Sequence, residues 1–284
     1  MIWNSIFLAS FAAALYGSAD FCGGLATRRV SVVPVMIFSQ LAGLAALLLV
    51  LPLLPPANAS TADLGWGALA GCALAGGLTL LYRGLAAGKM SVVAPVTAVL
   101  AVVVSALAGF AAGDRLSWAG WGGVALALAA IVLVGQDGAP ANGGEGRSAA
   151  RGLGGALLAG ALLGLFLTAL KQTAPASGLL PLIPARLSAA GVLALAAVFS
   201  RPQFGGARGA AWLIIAGGAL DVFANVFYLL AARVGTLTIA ATLTSLYPAS
   251  TIILARVFLG ERLRRIQVVG LACAAAGVAL IGAG

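Results

Sequence analysis

The stretch from Leu78 to Gly135 recurs without a gap 147 positions later, over Asn225 to Gly282. Gly88 falls on Gly235, Ser91 on Thr238, Ala94 on Ala241 and Thr97 on Thr244, and Gly113-Asp114-Arg115-Leu116 lands on Gly260-Glu261-Arg262-Leu263. The same offset at the front of the chain puts Gly17 on Gly164, Pro34 on Pro181 and Gly71 on Gly218. The chain therefore reads as two tandem copies of one unit, and any fold that suits one copy must suit the other.

The material of that unit is apolar. Of 284 residues 62% are hydrophobic and 8% are charged, against about 25% charged in an average soluble domain. With a mean hydropathy of +1.11, this is an integral membrane protein. A spanning helix needs roughly 20 apolar residues. Ten runs qualify, at about 2–24, 32–53, 64–87, 91–112, 117–135, 152–171, 179–199, 210–231, 236–257 and 266–283. The expected fold is an all-α membrane protein of ten transmembrane helices, arranged as two inverted five-helix repeats. The 39 glycines suit helices that approach closely in lipid.

The inversion follows from the odd count. A unit that crosses the membrane five times delivers its second copy upside down, and inverted halves are a transporter signature because they can open a midplane site to either side. The expected organisation is a first repeat at 1–135, a solvated connector at 136–150 with Gly, Pro, Asn and both charge signs, and a second repeat at 151–284. Orientation has two readings. Face A, where the first span starts, carries Arg115, Lys171 and Arg233. Face B carries the larger basic set, including Arg28, Arg29, Lys89, Arg262, Arg264 and Arg265, which the positive-inside rule places in the cytoplasm.

Composition also excludes. The net charge of +9 resides in short gaps between spans, so nucleic acid is not an expected partner. There is no His, and Cys22, Cys72 and Cys273 all lie in apolar runs, so neither a metal site nor a disulfide framework is expected. No cofactor motif and no GxxxxGK[ST] occur. The first apolar run, about twenty residues with no basic lead, reads as a retained span rather than a signal peptide.

Polar residues within spans are the candidates for binding and coupling. Asp221, Asn225 and Tyr228 follow at i, i+4 and i+7 on one face of span 8. Arg186 in span 7 lies at a similar depth and is placed to pair with Asp221. Either the two line a polar cavity, Asp221 taking a cation or proton and Arg186 a carboxylate, or they neutralise each other structurally. Span 1 adds Tyr16 and Asp20, and span 3 adds Tyr82 and Arg83, the latter also placed to snorkel. Spans 4 and 9 supply Thr97, Ser245 and Tyr247, with Pro95 and Pro248 as helix-kink or gating positions. Gln40 in span 2 needs one interhelical hydrogen bond. Trp3, Trp66, Trp118, Trp121 and Trp212 lie near span ends, as interfacial anchors do.

Gly88-Lys89-Met90-Ser91-Val92-Val93-Ala94-Pro95, Ser245-Leu246-Tyr247-Pro248 and Phe258-Leu259-Gly260-Glu261-Arg262-Leu263, on a five-plus-five inverted repeat, resemble the ten-span EamA-type members of the drug/metabolite transporter superfamily. The resemblance implies a secondary transporter of small metabolites in the cytoplasmic membrane, often an exporter of amino acids or related compounds. It also implies cytoplasmic termini, opposite to the charge count. The partners expected are a small-molecule substrate, the lipid bilayer and, if transport is coupled, protons at Asp221 or Asp20, in a monomer or homodimer. The alternatives are efflux of organic cations, as in the related small multidrug resistance proteins, and a non-transporting scaffold. An intramembrane enzyme lacks the expected motifs: there is no His and no G-x-S-x-G.

Overall fold

The computed structural model describes residues 2–111, 117–135, 146–202, 207–234, 243–244 and 246–283. Among the described residues the chain forms ten long helices: α1 Ile2–Thr27, α2 Val32–Val50, α3 Thr61–Ala87, α4 Met90–Ala111, α5 Trp118–Gly135, α6 Gly146–Lys171, α7 Leu182–Ser200, α8 Ala207–Val234, α9 Tyr247–Leu259 and α10 Arg265–Ala283. Seven are long and apolar enough to cross a bilayer within the described residues, and α5, α9 and α10 carry shorter apolar stretches. With its backbone donors satisfied inside each segment, such a helix is a shape lipid tolerates. The chain is an all-α multi-pass membrane protein. Trp3, Trp118 and Trp212 are exposed at helix ends.

The helix ends follow local chemistry. α3 starts at Thr61, ahead of the apolar run, because Ser60 and Asp63 form a capping box: Asp63 N donates to Ser60 Oγ at 3.2 Å and Ser60 N donates to Asp63 Oδ2 at 2.8 Å. α7 starts at Leu182 rather than near 179, since a 3-10 turn at Pro175–Ser177 and then Pro181 precede it. Pro95 is buried inside α4. Pro248, expected in a span interior, occupies the first turn of α9, where its missing N–H would be unpaired in any case. Ser245 and most of the connector at 136–150 lie outside the described residues.

The two halves pack reciprocally. α1 lies against α8 and α9, and its repeat counterpart α6 lies against α3 and α4. α2 packs on α7 and α8 while α7 packs on α2 and α3, and α4 meets α9 as α5 meets α10. Exchanging the halves reproduces these pairings, as a twofold axis requires. Five spans per half put that axis in the membrane plane.

Repeat-matched glycines make matched contacts. A Cβ at Gly17 would lie 2.8 Å from Thr251 N on α9, and one at Gly164 would lie 2.7 Å from Val104 Cβ on α4; Val104 is the repeat counterpart of Thr251. Likewise a Cβ at Gly71 would overlap the Ala185 carbonyl on α7, and one at Gly218 the Ser39 carbonyl on α2. These four crossings bring backbones together without side chains between them, which is how helices gain dispersion energy in lipid.

Candidate functional site

α8 carries its only acid, Asp221, halfway along. At 1.5 Å per residue, Asp221 stands about 21 Å from the Ala207 end of α8 and Arg186 about 21 Å from the Ser200 end of α7. Both ends lie on face B, so the two residues share a depth near the middle of the membrane. They meet there: Arg186 Nη2 donates to Asp221 Oδ2. From the other half, Gln40 on α2 accepts a hydrogen bond from Arg186 Nη1 at 3.3 Å. The guanidinium fits because α2 has Gly43 beside it, where a Cβ would come 2.9 Å from Arg186 Cζ.

The exposures of the partners differ. The Arg186 side chain is 5% exposed and that of Asp221 35%. The cation is sealed among α2, α7 and α8, while the carboxylate keeps an open edge. Arg186 Nε is buried without a hydrogen-bond partner among the described residues. Asn225 is turned inward on its own helix, its Nδ2 donating to the Asp221 carbonyl at 2.7 Å.

A second group faces this pair from α1, α3 and α9. Asp20 is half-buried on α1, within electrostatic range of Asp221, and has no hydrogen bond or ion pair among the described residues. Tyr16, one turn earlier, interacts electrostatically with Asp221, Tyr228 and Tyr247, and its ring centroid lies 6.2 Å from that of Tyr247. Tyr82 on α3 is buried within range of Asp20 and Asp221, and a Cβ at Gly23 would overlap its ring. α9 is fixed beside α1 by hydroxyls: Ser250 Oγ donates to the Ala13 carbonyl at 3.1 Å and Thr251 Oγ1 to the Gly17 carbonyl at 3.0 Å.

Of the residues expected from sequence, the structure brings together Asp221, Arg186, Tyr228, Asp20, Tyr16, Tyr82 and Tyr247. Arg83 is exposed, on a different face of α3 from Tyr82. Thr97 is fully buried elsewhere, donating to the Ala156 carbonyl on α6 at 3.2 Å. Ser245 lies outside the described residues. Sequence reasoning gave Gln40 only a generic hydrogen bond and passed over Gly43. Their signal was a lone amide and a small residue at i and i+3 in an otherwise apolar helix. No group of three His, Cys, Asp or Glu placed to hold a metal occurs among the described residues.

The net balance of the site is two carboxylates against one guanidinium, at the junction of helices from both halves. A comparison with curated proteins finds no match. A solved crystal structure, described only as that of a protein, is 16% identical and aligns with a TM-score of 0.62 over 98% of this chain and 96% of that one, a likeness of fold. The sequence model of the EamA-like transporter family matches twice, over residues 3–136 and 150–283. The two matches cover nearly the whole chain, and the chain belongs to the EamA-like transporter family.

Proposed function

We propose that this protein is a secondary active transporter that exports a small amino-bearing metabolite, such as an amino acid or a related polar compound, across the cytoplasmic membrane by alternating access. The halves at 1–135 and 151–284 rock about the site between them, joined by the connector at 136–150. The observation that carries the reading is the uncompensated charge. Both Nη groups of Arg186 are engaged, by Asp221 and by Gln40, so Asp20 is the carboxylate left without a cation. An intramembrane carboxylate needs a counter-charge, and an ammonium group or a proton supplies it. Either ligand in exchange for the other is a coupled cycle, with Asp20 and Asp221 as the exchange points.

One observation favours efflux of organic cations as a second reading: Tyr82 and Tyr247 lie within electrostatic range of Asp20, with Tyr16 one turn before it on α1, and aromatic faces attract a cation. Radiotracer uptake into proteoliposomes of the purified protein separates the two. The panel holds zwitterionic amino acids, primary amines, quaternary ammonium compounds and sugars. Uptake confined to zwitterions and primary amines supports the metabolite reading, uptake of quaternary ammonium alone supports the second, and uptake of sugars alone contradicts both.

A further inference from the structure

Glu261 lies in the duplicated segment Gly260-Glu261-Arg262-Leu263, at face B and away from the central pair. α9 ends at Leu259 and is capped by Gly260, whose φ of 68° lies in the left-handed region, and a Cβ there would meet nothing, so the turn itself calls for glycine. The turn delivers the Glu261 carboxylate to the start of α4. Oε1 accepts the Met90 N–H at 3.1 Å, and Oε2 accepts the Ser91 N–H at 3.0 Å and the Ser91 hydroxyl at 2.7 Å. A carboxylate at a helix N-terminus also meets the positive end of the helix dipole. Arg28, just past α1, completes the cluster: Nη2 stands 3.8 Å from Glu261 Oε1 and donates to the Leu85 and Gly88 carbonyls at 3.3 and 3.4 Å.

Glu261 of the second half thus meets the start of α4 directly and, through Arg28, the ends of α1 and α3. Beneath that point Phe21, Leu85, Met90, Val96 and Ala255, from α1, α3, α4 and α9, are buried in one apolar cluster that reaches Tyr82 of the central site. Gly24 approaches so closely that a Cβ would lie 2.7 Å from Leu85 Cβ. α9 packs on both α1 and α4, so a path to the central site between these helices from face B requires α9 to part from them. Packed apolar contacts resist that movement only while they touch. The Glu261 bonds are discrete, few, and replaceable by water at the membrane surface, which suits a catch that is made and broken once per cycle.

We propose that Glu261 is the latch of face B: its bonds to Met90 and Ser91 and its ion pair with Arg28 favour the state closed on that face, and their release admits solvent to the central site. The proposal gives the latch its purpose from the transport reading, but its test measures accessibility and stands whether or not a substrate is found. In a full-length background with Cys22, Cys72 and Cys273 replaced by Ala, single cysteines are placed at Val96, 1% exposed beneath the latch, and at Leu179, 7% exposed toward face A. A water-soluble methanethiosulfonate reagent then reports each position in detergent. With Glu261→Gln the labelling rate at position 96 is expected to rise about tenfold, a modest population shift, with no rise at 179. Arg28→Gln, a milder change at a partly exposed residue, is expected to act in the same direction. An equal rise at both positions marks general loosening and overturns the proposal, as does no rise at position 96 in either variant.

Discussion

Arg186 and Asp221 meet at equal depth on consecutive helices of the second half, and Gln40 of the first half reaches the same guanidinium. The asymmetry of the pair sets what happens when it is broken. Without Asp221 a cation that is 5% exposed is left uncompensated; without Arg186 the orphan is a carboxylate with an open edge. Breaking a buried pair from one side costs about 3–5 kcal/mol, so Asp221→Asn is expected to lie in that range and Arg186→Gln below it. The neutral double variant Arg186→Gln/Asp221→Asn is expected to recover most of the loss. Thermal unfolding in detergent of the three proteins checks the order.

At Gly17 the backbones of α1 and α9 cross closely. Gly17→Ala forces a methyl against Thr251 N and the Tyr247 carbonyl, and overpacking of this kind costs about 1–3 kcal/mol. Gly65→Ala, with nothing within 4 Å of the added Cβ inside α3, is the control and is expected to leave the unfolding temperature unchanged or raise it slightly, since Ala favours helix over Gly. Equal shifts in the two variants would contradict the close crossing.

Asp63 has two tasks at face A. It caps α3 with Ser60, and its Oδ1 accepts the Ala174 N–H at 2.7 Å, joining the first half to the loop before α7. Loss of a cap costs about 1 kcal/mol. Asp63→Ala is therefore expected to lower stability by at least that, seen as a lower unfolding temperature, without changing which substrates the protein carries.

Much of this architecture is legible in the sequence because lipid restricts the choices. Ten apolar runs mean ten helices, and the match of Gly17 with Gly164 and of Gly71 with Gly218 foretells crossings that the structure places at equivalent positions in the two halves. The shared depth of Arg186 and Asp221 follows from counting residues. What counting does not give is the side a residue faces. Arg83 and Tyr82 are adjacent in sequence, yet one is exposed and the other buried. Thr97 is polar but is used to join α4 to α6. Gln40 looks incidental because its partner is 146 residues away. The Gly-Glu segment was conspicuous without a role, since nothing local shows that Glu261 reaches the start of α4.

Asp20, unpaired beside three tyrosines, is expected to set selectivity. A hydrogen bond to a charged group contributes about 1.5–3 kcal/mol, so Asp20→Asn is expected to weaken binding of an amine-bearing substrate by about tenfold to a hundredfold. Neutral competitors should be affected far less. Competition for tracer uptake in proteoliposomes measures both.

The most direct test of the central site is lumenal pH in proteoliposomes challenged with the amino-bearing substrates that the parent protein carries. The charge-neutral Arg186→Gln/Asp221→Asn variant, verified as folded by its unfolding temperature, is compared with the parent and with Asp63→Ala. Substrate-dependent proton flux in the parent and in Asp63→Ala, falling to background in the double variant, is the predicted result. Flux at the parental rate in the double variant would contradict the account.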